Sequence, residues 1–141
     1  MQILDSAYRA VLRHAQATWP DECCGILLAE KPFFELICIA MPSRNMAEQD
    51  RGHRYRLDYH VQLRAVQLEQ RGLAAVVGYY HSHPHGEPRL SPHDVQQAVE
   101  DVLYVVVAGG RLGRTVRAWK RSGASYREEP LERVETQPWA K

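Results

Sequence analysis

Residues 81 to 94 read His-Ser-His-Pro-His-Gly-Glu-Pro-Arg-Leu-Ser-Pro-His-Asp, and four of the chain's seven histidines fall inside them. His81 and His83 stand two apart at the end of an apolar run, Leu73 to Tyr80, and Ser91 and Asp94 close the segment. Two imidazoles and a carboxylate form the three-ligand set that suits a zinc ion with an open fourth position. Zinc held in this way lowers the pKa of its bound water to about 7. The segment has the make-up of a hydrolytic metal site.

The elements that must position these side chains are legible nearby. Leu-Ala-Ala-Val-Val-Gly-Tyr-Tyr reads as a buried strand, short and apolar with β-branched and aromatic members. Continued to residue 83, it puts His81 and His83 on one face and Ser82 on the other. Pro84 cannot donate to a ladder, so the chain should leave the sheet there, and Gly86 and Pro88 mark a loop. Ser91-Pro92-His93-Asp94 then predicts a helix start, with serine as N-cap and proline at the first helical position. That start turns Asp94 back towards the strand end.

Other uses of the same residues compete with this one. Ser91-x-x-Asp94 is also a capping-box pattern, so the pair can serve the helix from Asp94 to Val102 as well as a metal. His85 and His93 are rival ligands, although Pro84 argues against a strand long enough to align His85 with His81 and His83. A hydrolytic metal also needs a general base, and a carboxylate is a common one. Glu22, in Pro20-Asp21-Glu22-Cys23-Cys24-Gly25, precedes a predicted strand and is a candidate, but spacing does not single it out among seventeen acidic residues.

Taken together, Pro-x-Glu-x-Cys-Gly and His-Ser-His-Pro-(five residues)-Leu-Ser-x-x-Asp resemble the JAMM (MPN-plus) zinc metalloproteases, which cut after the C-terminal glycine of ubiquitin or ubiquitin-like proteins. The resemblance runs from the first helix to about residue 120. It implies one zinc ion held by His81, His83 and Asp94, Glu22 as general base, and Ser91 as donor to the oxyanion. It also implies a cytidine-deaminase-like JAMM/MPN fold, α/β (α+β), with a mixed central sheet flanked by helices. With only about 47 residues after Asp94, the chain is most similar to the compact prokaryotic branch. That branch points to a ubiquitin-like or sulfur-carrier protein with a Gly-Gly C-terminus as partner. The rival readings are a non-catalytic module binding such proteins and a small-molecule zinc amidohydrolase.

At 141 residues the chain has the size of one domain, expected over 1–135 with a frayed tail at 136–141. A net charge of +1 gives no electrostatic case for nucleic acid. No stretch reaches 18 uninterrupted apolar residues, and the N-terminus lacks a signal-peptide pattern, so no membrane association is expected. Cys23, Cys24 and Cys38 read as buried reduced thiols, consistent with a cytoplasmic setting.

The remaining pattern predicts an α/β architecture. Asp5 is expected to cap a helix over 5–18 with Tyr8, Val11, Leu12 and Ala15 inward. Strands 23–30 and 33–41 follow, joined by a tight Lys31-Pro32 turn as an antiparallel hairpin. Residues 42–53 form a polar loop over the active face, and Arg54 to Leu57 a short strand. Asp58 caps a second helix to about Arg71, with Val61, Ala65 and Leu68 inward and Gly72 at its end. After the strand 73–83 and a helix 92–101 come strands Leu103 to Ala108 and Thr115 to Lys120. Gly109 to Gly113 joins them as a hairpin, lacking the spacing of a phosphate loop. Residues 122–135 add an edge strand.

Overall fold

The computed structural model describes residues 1–112 and 115–135. Among these residues the fold is a mixed α+β arrangement around one eight-stranded sheet. Its strands are β1 (Gln2–Leu4), β2 (Cys24–Ala29), β3 (Leu36–Ser43), β4 (Ala75–His83), β5 (Leu103–Ala108), β6 (Thr115–Ser122), β7 (Ser125–Glu129) and β8 (Glu132–Val134). They lie in the order β7-β6-β5-β4-β2-β3-β1-β8. β4 and β5 run parallel, as do β1 with β3 and with β8, and the remaining pairs are antiparallel.

Helices cover both faces, which is why the central strands read as continuous apolar runs rather than alternating ones. Helix α1 (Asp5–Thr18) buries Ala7, Val11 and Ala15 against Leu27, Ile37, Tyr80, Val105 and Val107. Helix α2 (Tyr59–Gln70) sets Ala65, with Val61 and Leu68, over Ile26, Leu28 and Val76 on the opposite face. Helix α3 (Pro92–Gln97) begins the connection that roofs a third cluster, Leu90, Ala98, Tyr104 and Val106. No helix among the described residues is long and apolar enough to cross a membrane.

Several sequence expectations need correction. Strand β1 was not anticipated; three residues are too short to show a period, and parallel pairing with β3 and β8 creates it. Leu4, not Asp5, stands at the N-cap of α1. Asp5 is instead the first helical residue, its carboxylate paired with Arg9 and Arg133. The β2–β3 hairpin is antiparallel, but its connection spans 30–35 with bonds from Phe33 N to Glu30 O and Leu36 N to Phe33 O, not a two-residue turn. Of Arg54 to Leu57 only Leu57 pairs, in a single bridge to Asn45.

Helix α3 stops at Gln97, short of 101. The Arg121 guanidinium takes the carbonyls of Val95 and Ala98, and the Tyr104 hydroxyl accepts from Val99 N, so tertiary partners replace the helical ones. Residues 122–135 supply two strands, β7 and β8, on opposite edges of the sheet. Asp58 caps α2 through His60 N, and Gly72 follows the helix at φ +70, both as expected. Gly113 and the tail 136–141 lie outside the described residues.

Candidate metal centre

His81 and His83 end β4, with one register step between them carrying Ser82 to the opposite face. Ser82 is buried, and its Oγ accepts from Cys23 N at 2.8 Å. That contact matters because β2 runs antiparallel to β4 with Cys24 opposite His81. The register therefore places Glu22, just ahead of β2, across from His83.

On the other side, Ser91 and Asp94 form a complete capping box. Ser91 Oγ accepts from Asp94 N at 3.1 Å, and Asp94 Oδ2 accepts from Ser91 N at 2.8 Å. The capping role and the site role coexist, because the same Oδ2 lies 3.1 Å from His81 Nε2 and 3.0 Å from His83 Nε2. The two Nε2 atoms are 3.1 Å apart. Three donor atoms thus form a nearly equilateral triangle.

The triangle suits a metal ion. Ligands about 2.0–2.1 Å from a tetrahedral zinc stand roughly 3.3 Å from one another, a few tenths from the observed spacing. His83 Nδ1 lies 2.7 Å from the Glu87 carbonyl, which only accepts, so that nitrogen carries the proton and Nε2 is left to bind. A second overlapping set is Glu22, His81 and His83, whose ligand atoms all lie within 4.8 Å. The tighter triangle is the better coordination set, and the larger reach of Glu22 leaves room for a water between it and the centre.

Electrostatics point the same way. Glu22 is 3% exposed and its Oε1 has no hydrogen-bond partner; burial pushes its pKa up to about 8. His81 is fully buried and burial lowers its pKa. Burial opposes charge on Asp94 too, but the two imidazoles and Ser91 N outweigh it and hold the carboxyl well below its usual range. For His83 burial is likewise outweighed, by Asp94 and the Glu87 carbonyl, and its pKa rises. A buried group that gathers a proton between two imidazoles and a carboxylate, beside an orphaned glutamate, is one that a cation would satisfy.

Around the centre lies a cleft of about 150 Å³ lined by Glu22, Gly52, His53, His83, His85, Gly86 and Ser91. His85 is part of this wall, not of the triangle, its ring near those of His53 and Trp19. His93 lies exposed on α3. The polar loop expected over 42–53 starts two residues later, because Pro42 and Ser43 still pair with β2. Its Gly52 and His53 line the cleft, and Tyr55, from the stretch expected as a strand, stacks on the His81 ring with centroids 4.7 Å apart. Sequence reasoning named neither Tyr55 nor Asn45. The only available signal was their place in the loop ahead of the Asp58 cap, which selects no residue. Cys23 and Cys24 are buried and Cys38 is half-buried, none of them in a disulfide.

A mixed sheet with paired histidines at the end of a central strand, an aspartate from the next helix and a facing glutamate defines the JAB/MPN class of domain. A family model described as prokaryotic homologs of the JAB domain matches residues 4–122, and the chain belongs to that family. No curated protein matches it in sequence. Among solved structures it is similar to a Desulfitobacterium hafniense protein (21% identity, 98% of this chain and 96% of that one, TM-score 0.80). It is also similar to a JAB1/MPN domain protein of Archaeoglobus fulgidus (19%, 96% and 100%, 0.63). A third is a JAMM structure described as a metalloprotease-like zinc site in the proteasome and signalosome (19%, 96% and 98%, 0.60). At these identities the likenesses establish the fold.

Proposed function

We propose that this chain is a zinc metallopeptidase that hydrolyses the bond following the C-terminal Gly-Gly of a ubiquitin-like or sulfur-carrier protein. The observation that carries the reading is the convergence of His81 Nε2, His83 Nε2 and Asp94 Oδ2 within 3.0–3.1 Å, faced by the buried carboxylate of Glu22, whose Oε1 has no hydrogen-bond partner. Zinc held by His81, His83 and Asp94 would polarise the scissile carbonyl and supply a water of pKa about 7.

The other roles belong to the chain's own groups. Glu22 accepts the attacking water's proton at its carboxylate and returns it to the leaving nitrogen. Ser91 Oγ spends a lone pair on Asp94 N, and its hydroxyl hydrogen has no acceptor among the described residues, so it is available to the developing oxyanion. The narrow cleft supports a glycine-rich substrate, since residues without Cβ bring the backbone closest to its floor. The membership of the JAB family supports the carrier class.

The test is metal analysis followed by a substrate panel. The tag-free protein is expected to hold about one zinc per chain, with a large loss in His83→Ala. The zinc-loaded protein should cleave carrier fusions extended beyond Gly-Gly, and Glu22→Gln should keep the metal and lose turnover. Protein that stays metal-free when zinc is supplied would remove the hydrolase reading. Cleavage of small amides alone would replace the carrier with a small-molecule substrate.

A further inference from the structure

Glu22 lies outside the sheet, because β2 begins at Cys24. Its backbone is therefore not held by a strand ladder, and both of its main-chain polar groups are held by the loop that covers the site. Glu22 N donates to Arg51 O at 2.7 Å, and Glu22 O accepts from Asn45 Nδ2 at 3.1 Å. The same Nδ2 donates to Arg54 O at 2.9 Å and, more distantly, lies 3.4 Å from Arg51 O. On its other side Asn45 Oδ1 accepts from Ala47 N at 3.0 Å and Arg56 N at 3.2 Å.

One amide thus closes the loop on itself and onto Glu22. Three carbonyls face one end and two N–H groups face the other, so only one orientation of the amide satisfies them. The loop it closes brings Gly52 and His53 to the cleft wall and lays Tyr55 on the His81 ring. The backbone of Asn45 adds a bridge to Leu57, and Met46 N donates to Arg56 O, so the loop's stem is shut where Asn45 sits. Among the described residues, the hydrogen bonds of this amide all go to backbone groups and none to His81, His83 or Asp94.

We propose that Asn45 is a positioning residue of the centre: by clamping the 46–56 loop to the Glu22 backbone it sets the glutamate and the Tyr55 ring against the paired histidines. The proposal rests on the peptidase reading for its effect on rate, but the clamp itself is a property of the protein alone. Asparagine is required because the position must donate twice and accept twice within one short side chain. Aspartate keeps the shape and the acceptor, loses both donors and turns a charge towards three carbonyls. Alanine removes both halves.

The test uses zinc-supplemented full-length protein carrying Asn45→Asp or Asn45→Ala, read by hydrogen exchange and by kinetics. In both variants amides of 46–56 and of Glu22 should exchange at least about tenfold faster, while those of β4 and β5 keep wild-type rates, because the opening is local. Zinc stoichiometry should be unchanged. Turnover per bound zinc, measured well below the melting temperature, should fall by about 100-fold with little change in KM, the cost of a misplaced catalytic group. Combined with Glu22→Asp, the loss should be less than additive, because both changes act through one carboxylate.

Loop amides that exchange no faster, or β4 and β5 amides that accelerate equally, overturn the clamp. Normal turnover per zinc with an opened loop overturns the positioning role. Wild-type protein that binds zinc and cleaves nothing refutes the peptidase reading instead, and the exchange data still decide the clamp.

Discussion

Replacing Glu22 by Gln in the metal-free protein should stabilise it, by an amount that grows with pH. The carboxyl titrates near 4.5 when unfolded and near 8 in the fold, chiefly because it is buried. Between those values the folded protein holds a proton that the unfolded chain has released, so stability falls as pH rises through the window. The resulting cost is about 3 kcal/mol at pH 7 and levels off near about 5 kcal/mol above pH 8. Glutamine resembles the protonated acid in shape and never ionises, so it carries no such cost. For a chain of this size, 1 kcal/mol moves Tm by about 3–4 °C. The variant should therefore melt about 10 °C above wild type at pH 7 and within about 2 °C of it at pH 4.5. His81, with its lowered pKa, has the opposite sign and loses stability as pH falls below about 6.5, but it is common to both proteins and cancels in the difference. Thermal melts of chelator-treated, dialysed protein across pH 4.5 to 8 give the comparison. A difference independent of pH, or a variant less stable than wild type at pH 8, would refute the reasoning. The same substitution is expected to abolish turnover, a local case of stability given up for function.

Gly25 and Ser82 give two further tests on the strands that carry the site. A Cβ on Gly25 would stand 2.2 Å from the Tyr80 ring and 2.5 Å from the Met41 carbonyl, and the Tyr80 hydroxyl is itself tied to His14 at 2.8 Å. Gly25→Ala should cost about 1–3 kcal/mol or more, seen as a lower denaturation midpoint; an unchanged midpoint would show that the strands yield more easily than their register suggests. Ser82→Ala leaves Cys23 N without its 2.8 Å side-chain acceptor in a buried setting and should cost about 1–3 kcal/mol. A loss below about 0.5 kcal/mol would mean that the freed N–H finds another partner.

Local chemistry wrote most of the centre into the sequence. The period of two in a strand puts His81 and His83 on one face, and Pro84 ends the run before His85 can join them. The Ser91-Pro92-x-Asp94 spacing caps α3 and returns the carboxylate to the strand end, which depends on one turn of backbone only. Glu22 was identified through resemblance to a family; its placement comes from antiparallel pairing of segments about sixty residues apart in sequence, which no local pattern encodes. The short strand β1 exists only through parallel pairing with β3 and β8, and β8 through its pairing with β1 across the length of the chain. Helix α3 ends early because Arg121, from β6, takes its last carbonyls. Asn45 looks like any loop asparagine until the fold gathers five backbone groups around its amide. The sequence by itself determined the side-chain types of the candidate ligands and their spacing, because those rest on backbone periodicity and capping. Tertiary structure decided the carboxylate that faces them and the loop that holds it, because those rest on contacts between segments far apart in the chain.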